Sequence, residues 1–136
     1  MKNLFLIFFL IISICLFGQS TIIIKQKNGK KLEVAKSDLA NKMNWKTAKK
    51  ACEKLELGWR MPTREELNEL YLNKDEIGGF QHKYYWSTSE YAADKYNYGK
   101  AWIQNFGHGY QFGYDFANYG FHKLKVRLVK DVTFDN

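Results

Sequence analysis

The stretch Gly58-Trp59-Arg60-Met61-Pro62-Thr63-Arg64-Glu65-Glu66-Leu67 decides how the chain is organised. Its first half reads as a short extended link. Thr63 then opens a helix: with Glu66 three residues on it forms a capping box, in which the threonine hydroxyl and the glutamate carboxylate satisfy each other's backbone N–H groups. Leu67, Leu70 and Tyr71 give that helix its buried stripe, and the double glycine Gly78-Gly79 stops it.

Upstream, Trp45, Ala48, Cys52 and Leu55 recur at helical spacing, with Asn44 placed as an N-cap and Gly58 just past the end. Cys52 falls on the apolar stripe of this first helix and reads as a packed, inert thiol. The other face carries Lys42, Lys46, Lys49, Lys50 and Lys54, interrupted by Glu53 and Glu56, which is the pattern of a solvated surface. Further upstream, residues 21–26 and 31–35 alternate apolar and polar around Lys27-Asn28-Gly29-Lys30. Asn-Gly favours a type I′ turn because both central residues need positive φ, so a β-hairpin is predicted there.

Downstream the composition changes to aromatics mixed with Gly, Asn and Ser, which reads as strand and loop. Strands are predicted at 84–89, 101–106 and 110–114, the last two joined as a hairpin through Gly107-His108-Gly109. A last strand is predicted at 123–129, with Leu124, Val126 and Leu128 on one face. The fold class expected is α+β: two short helices packed on a small, twisted, mainly antiparallel sheet, with an N-terminal hairpin.

Bulk properties bound the rest. Lys2 followed by an apolar run from Leu4 to Phe17, and then by Gly18, Gln19 and Ser20, has the layout of a signal peptide. The run is shorter than the roughly 20 residues a membrane span needs. Export with cleavage near Gly18 to Ser20 is expected, an uncleaved N-terminal anchor being the weaker alternative. Residues 20–136 then form one domain with no stable membrane span. With 46% hydrophobic and 26% charged residues the chain folds rather than staying disordered. The formal net charge of +7, one unit of it from Lys2, is compatible with a polyanionic partner. Export argues against nucleic acid. Cys15 departs with the leader, so Cys52 stands alone: no intrachain disulfide forms, and a thiolate zinc site fails on ligand count.

Several motifs, in order, resemble one known family. They are Met43-Asn44-Trp45 with Ala48 and Cys52, the 58–67 stretch with Pro62, Ile77-Gly78-Gly79-Phe80, Tyr85-Trp86-Ser87-Thr88-Ser89-Glu90, Ala101-Trp102 and Val126-Arg127-Leu128-Val129. Together they are similar to the Lcl C-terminal domain family, named after the C-terminal domain of a bacterial collagen-like adhesin, from about Leu32 to Val129. The resemblance implies a C-type-lectin-like fold related to that of formylglycine-generating enzymes. It also implies an adhesion-like role linked to sulfated glycosaminoglycans. It removes other functions. The late cysteine pair of formylglycine-generating enzymes is missing, and neither Glu-Pro-Asn nor Gln-Pro-Asp, the lectin calcium triplets, occurs. Where related domains place a second cysteine in the last strand, this chain has Leu128. Trp59, Trp86 and Trp102 are expected to anchor helices against the sheet, and Arg60, Glu90 and Arg127 to form a partly buried charge network.

The inventory for catalysis is thin. His82, His108 and His122 lack metal-ligand spacing, and no nucleophile elbow surrounds Ser87 or Ser89. Asp94, Asp115 and Asn118 offer oxygen atoms but nothing like an EF-hand loop. No catalytic residue, cofactor or metal is assigned. Binding is the better reading, since aromatics mixed with small polar residues give contact area at low entropic cost. The expected surface is Tyr91, Tyr96, Tyr98, His108, Tyr110, Phe112, Tyr114 and Tyr119, with Lys95 and Lys100 meeting sulfate or carboxylate groups. Alternation along the strands turns about half of these aromatics to the core. A glycan or another polyanion is the expected partner, a protein ligand the alternative.

Overall fold

The computed structural model describes residues 20–91, 99–115 and 122–133; the expected leader, 1–19, lies outside them. Strands β1 (Thr21–Lys25) and β2 (Lys31–Ala35) form the N-terminal hairpin, Ile23 lying opposite Glu33. Its turn differs from the type I′ expectation. Gly29 has φ 85°, but Asn28 stays out of the left-handed region. The Asn28 side chain instead accepts from the Lys30 N–H at 2.9 Å, and the Gly29 N–H donates to the Gln26 carbonyl. Three residues, not two, therefore make the turn, with the glycine supplying the one left-handed position.

Helix α1 (Trp45–Glu53) starts where Asn44 accepts from the Thr47 N–H at 2.8 Å and buries Trp45, Ala48 and Cys52. It ends one turn before the spacing predicts. Lys54 is its C-cap, and Leu55 packs on the core from outside the helix. Gly58 does not stop α1; it follows Leu57 (φ 69°) in a left-handed pair that reverses the chain toward Trp59. Helix α2 (Arg64–Leu72) carries the predicted capping box, with Glu66 N–H to Thr63 Oγ1 at 3.2 Å and Thr63 N–H to Glu66 Oε2 at 2.8 Å. A single turn, α3 (Lys74–Ile77), precedes Gly78-Gly79.

Strands β3 (Tyr84–Tyr91), β4 (Lys100–Asn105) and β5 (Gln111–Asp115) form a second sheet in sequence order, with an irregularity in β3 between Trp86 and Glu90. The last strand, β6 (Val129–Asp131), pairs with β2, completing a first sheet of order β1-β2-β6. All these pairings are antiparallel. The fold is thus α+β with two three-stranded sheets. The long final strand expected at 123–129 is corrected: residues 124–128 form no ladder, but make isolated bridges, Leu124 to Met43 and Lys125 to Tyr85, and single backbone hydrogen bonds in which the Val126 and Leu128 carbonyls accept from the Leu39 and Ala35 N–H groups. The reason is position. This segment runs between the sheets, so Val126 and Leu128 enter one apolar cluster while Val129 enters the other.

The first cluster lies between α1 and one face of the second sheet and holds Trp45, Trp59, Met61, Trp86, Ile103, Val126 and Leu128. Burial of each large side chain stabilises by roughly 1.5–3 kcal/mol. Two indoles also lock helix to sheet reciprocally: Trp45 Nε1 donates to the Ser87 carbonyl and Trp86 Nε1 to that of Met43, both at 2.8 Å. The second cluster gathers Ile24, Leu32, Val34, Leu67, Leu70, Ile77, Tyr85 and Phe106 between the first sheet, α2 and α3.

Candidate functional site

Buried charge was expected in one network of Arg60, Glu90 and Arg127; it forms two, and Glu90 joins neither. Arg60 makes a bidentate pair with Glu66, at 2.6 and 2.8 Å, and reaches Asp131 at 2.8 Å. The hydrogen bond to Glu66 is the largest influence raising the Arg60 pKa. Arg127, fully buried, donates Nε to Asp38 Oδ1 at 2.8 Å and Nη1 to the carbonyls of Ala35 and Gly78 at 3.0 Å. Phe80 stacks on its guanidinium, and Nη2 has no partner among the described residues. Tyr85 donates its hydroxyl to Asp38 Oδ2 at 2.8 Å, and burial raises its pKa. Glu90 is exposed near the end of β3. Its separation from the arginines follows from β3 leaving the core there. Pro62 is buried, its carbonyl accepting the Thr88 N–H at 2.8 Å. Burial pushes the thiol of Cys52 from its usual value near 9.0 up to about 11, so little thiolate exists at neutral pH.

The expected aromatic surface divides. Lys95, Tyr96, Tyr98 and Tyr119, with Asp94 and Asn118, lie outside the described residues. Phe112 and Tyr114 share the face that turns toward the first cluster, Phe112 edge-on to Tyr84 and Tyr114 against Trp86. Tyr91 lies on the opposite face of the same sheet, edge-on to Trp102. Gly113 makes this possible, because a Cβ there would sit 2.7 Å from the Tyr91 ring. His108 and Tyr110 stack at the exposed tip of the β4–β5 hairpin, and Lys100 is half-buried at its far end. These residues therefore do not meet in one patch: Phe112 and Tyr114 of β5 lie on one face of the sheet, Tyr91 of β3 on the other, and His108 and Tyr110 at the hairpin tip.

Trp102 is no core anchor. It is half-exposed on the outer face of the second sheet, where the Arg64 guanidinium lies 3.5 Å from the ring centroid. From that stack begins an oriented chain of amides. Arg64 Nε donates to Gln111 Oε1 at 3.1 Å, Gln111 Nε2 to Gln104 Oε1 at 3.1 Å, and Gln104 Nε2 to Asn68 Oδ1 at 2.9 Å. Each bond fixes the next group, so Arg64 Nη1 and Nη2 and Asn68 Nδ2 are left without partners among the described residues. These groups border a cleft of about 480 Å³ between α2, β5 and the β1–β2 turn. Gln26, Lys27, Asn28, Glu65 and Glu69 complete its lining. The turn is tied to the helix by the Lys27 N–H donating to Glu69 Oε1 at 3.2 Å. Gln26 is only 8% exposed as a residue, and among the described residues the buried side-chain atom left without a partner is Arg127 Nη2.

The sequence reading passed over Gln26, Arg64, Asn68, Gln104 and Gln111. The helix held a signal, since Arg64 and Asn68 are four apart on it; the predicted hairpin bounds pair Gln104 with Phe112, whereas the observed register sets Gln104 directly opposite Gln111. Among the described residues no three His, Cys, Asp or Glu side chains are grouped to hold a metal ion, and no helix is long and apolar enough to cross a membrane.

Fold and cleft together define a small α+β domain with a solvent-open polar cleft between α2, β5 and the β1–β2 turn. The chain belongs to the Lcl C-terminal domain family, whose model matches residues 24–130. No curated protein matches it.

Proposed function

We propose that this protein is an exported, non-catalytic binding module with an adhesion-like role, recognising a glycan through the cleft bordered by α2, β5 and the β1–β2 turn. The observation that carries the reading is the set of Arg64 and Asn68 donors held in place by the amide chain and facing the open cleft that Gln26 also lines. The cleft volume falls within the range of about 300–1,000 Å³ usual for small-ligand sites. Family membership supports the adhesion-like role. The exposed lysines of α1, Lys46, Lys49 and Lys50, with Lys54 at its C-cap, add a cationic surface that favours an acidic polymer. An array of neutral and acidic glycans, screened with the purified protein at low and physiological salt, tests the reading. Binding to a defined saccharide is expected; blank arrays at both salts sink it.

A protein ligand is the second reading, favoured by the β4–β5 hairpin tip, where Tyr110 is 73% exposed beside His108. Salt separates the two extremes. Attachment to an acidic polymer through lysines weakens steeply as ionic strength rises, whereas docking of an aromatic tip on a polypeptide changes little.

A further inference from the structure

We infer that β1 is a dimerisation edge: two copies of this chain pair antiparallel along Thr21–Lys25, about a two-fold axis at Ile23, joining their first sheets into one. The inference does not depend on what the cleft takes. Backbone direction is the first argument. The Gln26 N–H donates to the Lys30 carbonyl, and the Ser20 carbonyl accepts from the Lys36 N–H, so Ser20, Ile22, Ile24 and Gln26 turn their backbone groups toward β2. Strand alternation then turns those of Thr21, Ile23 and Lys25 outward, where they have no backbone partner among the described residues. The other edges differ. Arg60 exchanges two backbone hydrogen bonds with Val129 and closes β6, and Lys125 and Pro62 cover β3. β5 has Gly113 at its centre and no aliphatic side chain. Among the described residues only β1 combines an open edge with an exposed aliphatic side chain, Ile23, 54% exposed. Native edges are ordinarily blunted by charge, proline or a bulge, and the centre of β1 has none of these.

Self-complementarity identifies the occupant as a second copy. With Ile23 opposite Ile23, Thr21 of each copy falls opposite Lys25 of the other, and this antiparallel register pairs every outward N–H and carbonyl that the three residues present. Ile22 then faces Ile24 on the side of the second cluster, which Ile22 enters only in part in the single chain. Charge fits the same register. Within one copy Lys25 lies directly opposite Lys31, where like charges repel. Across the axis it lies beside Thr21, whose hydroxyl donates to Glu33 Oε1 at 2.8 Å, so a carboxylate is one strand away. A parallel pairing would instead set Lys25 against Lys25. The β1–β2 turns fall at opposite ends of the ladder, which places the two Gln26 residues, one in each cleft lining, about 20 Å apart along the strands.

So short a ladder is a small contact, below the roughly 1,200 Å² of standard interfaces. Sedimentation equilibrium of the purified protein from about 10 µM to about 1 mM is therefore expected to show a monomer–dimer equilibrium with a dissociation constant on the order of 100 µM. Ile23→Pro removes an N–H that the single chain does not use, at an edge position where proline is tolerated. Ile23→Lys sets two ammonium groups against each other on the axis. Each is expected to raise the dissociation constant more than about tenfold, with the circular dichroism spectrum unchanged. Should Ile23→Pro fail to fold, Ile23→Lys alone decides. In the parent, the amide NMR shifts that move with concentration should centre on Thr21, Ile23 and Lys25. A monomer throughout that range overturns the inference. A dimer indifferent to the folded variants overturns its placement on β1. If the protein stays monomeric while those three amides shift on adding a synthetic alternating Thr/Ile pentapeptide, the edge takes a foreign strand and the second copy is overturned as its occupant.

Discussion

Arg127 and Arg64 each lay a guanidinium on an aromatic ring, 3.8 Å from the centroid of Phe80 and 3.5 Å from that of Trp102. The surroundings then diverge. Around Arg127 the fork is spent inward, on Asp38 and on the carbonyls of Ala35 and Gly78, and the group ties the end of β2 to the turn after α3. Around Arg64 only Nε is used within the fold, and the outer nitrogens face the cleft. The same stacking contact thus serves as a rivet in one place and as an aiming device in the other. What distinguishes them is not the arginine but whether a carboxylate and carbonyls close around it.

The comparison is broken most directly at Arg127. Arg127→Met keeps much of the side-chain volume but leaves Asp38 buried beside Tyr85 without its strongest partner, and is expected to cost about 3–5 kcal/mol in urea unfolding. Lysine at the same position rescues only part of that, because it lacks the planar fork.

A smaller effect belongs to the core thiol. Because Cys52 titrates near 9.0 when free and at about 11 when folded, the unfolded chain loses that proton first as pH rises. The stability linked to the protonated thiol is complete below about pH 9 and is lost as pH climbs to about 11, a change on the order of 2–3 kcal/mol. The raised Tyr85 pKa acts in the same direction at higher pH. Unfolding midpoints measured across that alkaline window should fall less steeply in Cys52→Ala than in the parent, and equal slopes would refute the assignment.

Thr63→Ala opens the capping box at the start of α2 and is expected to cost about 1 kcal/mol. Arg64→Ala sharpens the comparison from its other end. Its unfolding free energy should move by less than about 1 kcal/mol, far below that of Arg127→Met, while saccharide binding in the cleft is lost. Similar destabilisation at both arginines would mean that Arg64 is structural too.

Local signals carried most of the architecture. Asn44 and Thr63 mark helix starts because a cap is made within three or four residues, and the β4–β5 hairpin is visible in Gly107-His108-Gly109 for the same reason. The turn at Asn28-Gly29 was harder, since one side-chain bond to the Lys30 N–H decides between turn types. The segment 124–128 alternates like a strand but is held between two sheets with few ladder partners, which alternation alone cannot distinguish. The cleft was the least legible. Gln26, Arg64, Asn68 and Gln111 come from a hairpin end, a helix and a distant strand, and none stands out by type. The aromatic residues did stand out, and alternation then sent Phe112 and Tyr114 one way and Tyr91 the other.

Cys52 has no sulfur partner, and its place is taken by apolar contacts with the indoles and Met61 around it. Nothing in the described architecture therefore waits on an oxidant. Pretreatment with dithiothreitol should leave the melting curve where it was, and a host with a reducing cytosol should yield the same folded domain as one equipped with a thiol oxidase and an isomerase.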